Sequence, residues 1–263
     1  MFLNHFSMTG HPFAEKPPSD WLLTDERFSQ ALARLQFFQQ QGNLALIIGQ
    51  TGIGKSSLIR LFKKTIPQNQ YLPIYIHLTN ISPNAFLRLI VTQLGESPKL
   101  GKDRLFLQIT ERVKKNETQT VLIVDEAHLI PSQSLTDLRL LVSSGIDSDL
   151  PLKIILSGQE SLGSQLKRSI HADLVHRFCV RYRIPALNKT QSAAYIDHRL
   201  GCVDASDKIF DTEAKSLIHD YSGGIPRQIN NIATACLINA ASKSSQIIDE
   251  NLVNETMNEF RLP

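Results

Sequence analysis

No stretch of this sequence approaches the ~20 consecutive apolar residues that span a bilayer. The opening residues, Met1-Phe-Leu-Asn-His-Phe-Ser-Met, lack the basic segment and apolar run of a secretory leader. Cysteine is scarce. Cys179, Cys202 and Cys236 are scattered, odd in number and without metal-ligand spacing, which excludes a disulfide framework and a cysteine-held metal as expectations. Unreactive thiols in a reducing compartment follow, and with them a cytoplasmic location without membrane contact. A strong charge of either sign is missing too: the net charge is +3 over 263 residues, compatible with nucleic acid but no evidence for it. There is no internal repeat and no low-complexity segment.

What is present is the make-up of a folded protein, 42% hydrophobic and 20% charged. Short apolar runs alternate with segments of helical period, the pattern of a sheet covered by helices on both faces. The runs predict strands at Leu44–Ile48, Leu72–Ile76, Val121–Val124, Lys153–Leu156 and Cys179–Ile184. Helices are predicted after the Ser82-Pro83 start signal (Asn84–Leu94), from Asp103 to about Lys115, and from Ser132 or Ser134 to near Gly145. After Pro185 only helical patterns follow, at Thr190–Leu200, Thr212–Tyr221, Pro226–Ala241 and Asp249–Phe260. The expected fold is therefore α/β: an N-terminal arm and helix over residues 1–40, a core with a parallel five-stranded sheet over 41–186, and an all-helical lid over 187–263.

Gly49-Gln50-Thr51-Gly52-Ile53-Gly54-Lys55-Ser56 matches the phosphate-binding loop G-x-x-x-x-G-K-[ST], directly after a predicted strand and before the helical stretch from Ser57. Its glycines let backbone N–H groups turn toward phosphates at the positive end of the next helix. Lys55 then neutralises the β- and γ-phosphates of ATP, and the Ser56 hydroxyl ligates magnesium. Val121-Leu-Ile-Val124-Asp125-Glu126 ends an apolar strand in two acids. Asp125 suits the magnesium shell, and Glu126 suits the base that orients and deprotonates a water. Asp125-Glu-Ala-His128 also spells a helicase-like box, but one core is too few for a two-core helicase, and His128 reads as a hydrogen-bonding turn residue. The run Leu152-Lys-Ile-Ile-Leu156-Ser157-Gly158-Gln159 ends in polar groups, of which Ser157 or Gln159 can reach the γ-phosphate or the water. Arg177, Arg181 and Arg183 flank or lie on the last strand. Any one of them can serve a neighbouring subunit's γ-phosphate, with Arg177 best placed at the strand's entrance. Arg227 falls in the first turn of a lid helix, where it can fold over bound nucleotide.

Together these segments resemble the AAA+ ATPases and, within them, the ExeA-like family. Further matches are the opening Asn4-His-Phe6-Ser-Met…His11-Pro12-Phe13, the stretch from His176-Arg177 to Arg183, and Gly223–Asn230. The resemblance implies an ATPase with Walker A at Gly49–Ser56, Walker B at Asp125 and Glu126, sensor 1 near Ser157–Gln159, an arginine finger at Arg177 and sensor 2 at Arg227. It also implies that Pro12 and Phe13 lie against the adenine. ExeA proteins of the secretion type continue into a membrane span and a periplasmic module, whereas this sequence stops at Pro263. It therefore also resembles the ATPases that accompany transposases, the TnsC, IstB, TniB and MuB class. That likeness implies a ring or filament of identical subunits, largely sequence-independent binding of duplex DNA, and a transposase or target-selector partner. The expected function is regulation of transposition, with target selection and transposase stimulation. The alternatives are a secretion or envelope-assembly ATPase acting on proteins, and a nucleotide-switch scaffold with negligible turnover. The turn Thr79–Ser82 and the basic stretch Lys99, Lys102 and Arg104 are the expected DNA contacts.

Lys55→Ala removes the fixed cation that faces the phosphates. ATP binding by calorimetry should be lost, and an unchanged affinity would discard the phosphate-loop reading.

Overall fold

In a computed structural model of the chain, residues 2–143 and 150–260 are described. The helices are α1 (Phe2–His5), α2 (Glu26–Gln41), α3 (Lys55–Thr65), α4 (Pro83–Gln93), α5 (Lys102–Lys115), α6 (Ser132–Val142), α7 (Glu160–Leu166), α8 (Ala172–His176), α9 (Lys189–Gly201), α10 (Thr212–Ser222), α11 (Pro226–Ser242) and α12 (Glu250–Phe260). The strands are β1 (Leu44–Ile48), β2 (Tyr71–His77), β3 (Gln119–Asp125), β4 (Leu152–Gly158) and β5 (Phe178–Arg183). All pairings are parallel, in the order β2-β3-β4-β1-β5.

The described residues form two compact units, one of Phe28–Gln50 and Leu58–Ile184, the other of Met1–Arg27, Thr51–Ser57 and Pro185–Pro263. In the sheet unit, side chains alternate between two buried faces. Leu44, Leu46, Leu122, Val124, Ile154 and Leu156 face a cluster completed by Phe86, Ile90, Ile109, Leu135 and Leu138 of α4, α5 and α6. The other face carries Ala45, Ile47, Val121, Ile123 and Ile155, also buried. There the buried Lys153 donates to the Phe38 and Gly42 carbonyls at the end of α2. Burial lowers the pKa of this ammonium, with the nearby Cys179 opposing. Strands buried on both faces explain why these runs read as continuous Ile, Val and Leu.

The helical unit packs α9 to α12 around Ile196, Leu200, Ile218, Ile229, Ile232, Ala233, Leu237 and Val253. Phe2, Phe6, Met8 and Phe13 of the arm join that same cluster. The stretch read as one arm and helix is thus divided. Its apolar beginning belongs to the helical unit, while α2 belongs to the sheet. Buried Arg199 secures the arm, donating from Nε to the Pro12 carbonyl at 2.7 Å and from a terminal nitrogen to that of Ala14 at 3.2 Å.

Local signals set the helix starts. The Ser82 hydroxyl accepts from the Ala85 N–H at 3.3 Å, with Pro83 opening α4. Asp103 lies inside the first turn of α5 rather than before it, because Gly101 at φ 96° makes the turn into the helix. An acid there still favours the positive helix end. The expected end of α6 near Gly145 falls outside the described residues. Helix α7 has no counterpart among the predicted helices; it is seven residues long, too short to show a period.

Between α10 and α11, Gly223 and Gly224 adopt left-handed φ values of 57° and 70°. A Cβ on Gly223 would meet nothing within 4 Å, whereas one on Gly224 would lie 2.0 Å from the Leu187 carbonyl oxygen. Gly223→Ala should cost about 1–2 kcal/mol of left-handed strain. Gly224→Ala adds a backbone collision and should lower the melting temperature clearly further. Equal losses in thermal melts would contradict the close approach.

Candidate functional site

The carboxyl ends of the parallel strands form one edge of the sheet, where open α/β sheets bind their ligands. Gly49 follows β1 there and donates to the Gly158 carbonyl at the end of β4, at 3.2 Å. Asp125 ends β3 between β2 and β4 and is fully buried. Its Oδ1 accepts from the Ser157 hydroxyl at 2.9 Å and from the Glu126 N–H at 3.0 Å. Its Oδ2 accepts from the Tyr75 hydroxyl at 2.9 Å. Tyr75 carries a phenol pKa pushed far up, by burial first and by the Asp125 charge next.

Glu126 sits at φ 53°, a left-handed conformation that costs a non-glycine residue energy and marks many functional positions. Its Oε2 lies 3.2 Å from His128 Nδ1. Both atoms are buried and lack a properly directed hydrogen bond, so the approach is a close contact rather than a hydrogen bond. His128 is therefore a turn residue whose ring borders the candidate base.

Ser157 is fully buried and spends its hydroxyl on Asp125. Gln159 is half-buried at the start of α7, and its side chain does not cap that helix. Arg177 is exposed and precedes β5, so it lies at the amino-end edge of the sheet, about 20 Å of strand away from the Asp125 edge. The short helix before it is fastened to α6 by Arg139 to Asp173 at 2.8 Å and Ser132 to His171 at 2.8 Å. Burial, then the Arg168 charge, lowers the His171 pKa, which favours its neutral ring. Arg181 donates to the Val175 carbonyl and Arg183 pairs with Glu160.

The helical unit holds the rest of the phosphate loop, Thr51–Ser57. Gly52 and Gly54 take φ values of 81° and 109°, Ile53 is buried beneath them, and Lys55 is 5% exposed at the start of α3. The Arg227 N–H donates to the Gly52 carbonyl at 3.2 Å, so the first turn of α11 lies directly on the loop. The Arg227 side chain is half-exposed, with Glu15 at 4.0 Å, a loose surface pair of little weight. Pro12 and Phe13 are buried, and the Phe13 ring packs edge-on against Phe210 at 6.3 Å.

Of the expected DNA contacts, Ser82 caps a helix and Lys102 is tied to buried Asp137 at 2.7 Å, while Lys99 and Arg104 are exposed. The thiol pKa values of Cys179, Cys202 and Cys236 are all raised, chiefly by burial, that of Cys236 to about 11. This agrees with the expectation of unreactive thiols. No described helix is long and apolar enough to cross a membrane. Sequence reasoning missed Tyr75. Its signal is the register that puts it beside Asp125, which one sequence does not reveal.

Residues 39–166 match the AAA domain family. The chain is 31% identical over 255 residues to the general secretion pathway protein A of Aeromonas hydrophila, covering 94% of this chain and 46% of that protein. It therefore spans about half of the relative's length. Among solved structures it is similar to the Aeropyrum pernix ORC2 protein in ADPNP–ADP complexes, with a TM-score of 0.70 and 18% identity, over 95% of this chain and 71% of that one. It is also similar to Drosophila ORC bound to DNA, with a TM-score of 0.71 and 18% identity, over 100% and 66%. The Thermotoga maritima RuvB branch migration motor gives a TM-score of 0.64 and 14% identity, over 96% and 74%. At such identities the structures establish the fold alone, the α/β fold with a five-stranded parallel sheet seen in AAA+ P-loop ATPase structures.

A Cβ on Gly52 would stand 2.6 Å from Arg227 Cβ and 3.3 Å from Ile225 Cγ2, at a backbone angle strained for any other residue. Gly52→Ala should therefore melt earlier and bind ATP at least about tenfold more weakly. Adding Arg227→Gly removes one clashing atom, so the two melting losses should be less than additive. Strict additivity would show that the two residues do not touch.

Proposed function

We propose that this AAA chain uses ATP binding and hydrolysis to act on protein partners of a secretion or envelope-assembly system, as an oligomer of identical subunits. The observation that carries this reading is the 31% identity to a general secretion pathway protein, spread over 94% of the chain rather than confined to the nucleotide motifs. Where the sequence stops decides nothing against it, since the chain covers 46% of that relative.

In this proposal Lys55 neutralises the β- and γ-phosphates. The Asp125 carboxylate and the Ser56 hydroxyl are hard oxygen donors of the kind magnesium takes. The ion, when bound, offsets phosphate charge. Glu126 orients the attacking water and accepts its proton on its carboxylate. Gln159 takes the sensor role, because the Ser157 hydroxyl is already committed to Asp125. Arg227 reports the γ-phosphate to the helical unit through the turn seated on the loop. Arg177 serves a neighbour's γ-phosphate, since it stands at the wrong edge of the sheet for its own. The buried position of Pro12 and Phe13 supports a role in shaping the adenine side from beneath rather than by open stacking.

Regulation of transposition on duplex DNA, with a transposase as partner, is the reading that the same machinery would serve if Lys99 and Arg104 met phosphates. Glu126→Gln separates these cases. It should keep ATP affinity while turnover falls by at least ~10², the usual worth of a positioned base, and it should hold the ATP-bound assembly. That trapped form is expected to show no ATP-dependent retention on random duplex DNA. Retention that weakens steeply with salt would transfer the chain to the transposition class. Wild-type turnover at background would make it a nucleotide switch.

A further inference from the structure

At the carboxyl ends of β2, β3 and β4, Tyr75, Asp125 and Ser157 share one face of the sheet. Tyr75 stands opposite Ile123 in register, and Asp125 is two residues beyond Ile123 on the same side. The Tyr75 hydroxyl then reaches Asp125 Oδ2 at 2.9 Å, while Ser157 holds Oδ1 at 2.9 Å from the other flank. The Tyr75 ring also carries Lys63 Nζ 5.5 Å from its centroid, and Lys63 belongs to α3, the helix that the phosphate loop opens. A carboxylate alone turns easily about its last torsion, where the preference is broad. Hydroxyl donors on opposite oxygens stop that rotation.

We propose that Tyr75 is a positioning residue for the divalent cation: its hydroxyl fixes the plane of the Asp125 carboxylate and so sets the magnesium affinity of the nucleotide complex. The role rests on the ATPase reading above. Outer partners that orient a metal-binding carboxylate typically contribute about 10–100-fold in metal affinity. A purely structural tyrosine would affect folding and nucleotide affinity alike, with or without metal.

The test uses the full chain and a non-hydrolysable ATP analogue in calorimetry, first in EDTA and then across a magnesium series. Tyr75→Phe keeps the ring and its contact with Lys63 but loses the hydroxyl. Its magnesium midpoint should rise about tenfold while the affinity in EDTA stays at the wild-type value. Tyr75→Met, which fills the space with a flexible apolar chain, carries the same expectation. Lys63→Met leaves the hydroxyl and should leave the midpoint in place. A wild-type midpoint in the Tyr75 variants overturns the inference, as does an equal loss in EDTA or an equal rise in Lys63→Met. Failure of the wild type to bind the analogue overturns the ATPase reading and this inference with it; normal wild-type binding beside an unmoved Tyr75→Phe overturns this inference alone.

Discussion

A carboxylate with no exposed surface must be met by donors, and much of the sheet unit is arranged so that Asp125 is met. Leaving water costs an isolated charge several kcal/mol, a cost offset only when its lone pairs are satisfied. The strand order answers this need. With β3 between β2 and β4, hydroxyls arrive from both sides, Tyr75 from one strand and Ser157 from the other. The third donor is the next N–H along the chain, that of Glu126, whose own backbone is left-handed at φ 53°.

The helical unit solves a different problem with the same logic. Arg199 carries five N–H donors and no acceptor, and it lies at 2% exposure. Carbonyls of Pro12 and Ala14 and the Tyr195 hydroxyl receive its hydrogen bonds. The arm is thereby pinned through its backbone, with Phe2, Phe6 and Phe13 packed among α9 to α12. Arg27 repeats the device, pairing with Asp25 at 2.6 Å and donating to the Pro185 carbonyl at 2.8 Å.

Much of the sheet was legible because parallel strands buried on both faces announce themselves as short Ile, Val and Leu runs; the limits of β1 are those of its run. The phosphate-loop motif and the Asp125-Glu126 pair were legible as patterns, and the structure puts the one directly after β1 and the other at the end of β3. Pairwise facts were not. Nothing in Tyr75 itself marks it as a partner of Asp125, since the pairing depends on strand register, and nothing in Lys102 marks its bond to buried Asp137. A basic loop looks solvated until the acid beneath it is located. The arm's allegiance was hidden for the same reason: Phe2, Phe6 and Phe13 are visibly apolar, but which core takes them is a long-range matter.

The seat of α11 on the phosphate loop bears on the order in which the protein comes into being. Thr51–Ser57 packs with helices encoded far downstream, and the Gly52 carbonyl finds the Arg227 N–H only once α11 exists. During synthesis the sheet strands from β1 to β5 emerge earlier and can pair as they appear. The loop between β1 and α3 must wait through that whole interval without its native packing. A nascent chain consequently cannot form the Arg227–Gly52 backbone bond until translation has passed the Gly223-Gly224 turn and the first turn of α11. The packing of this loop is acquired late, after the strands beside it have been made.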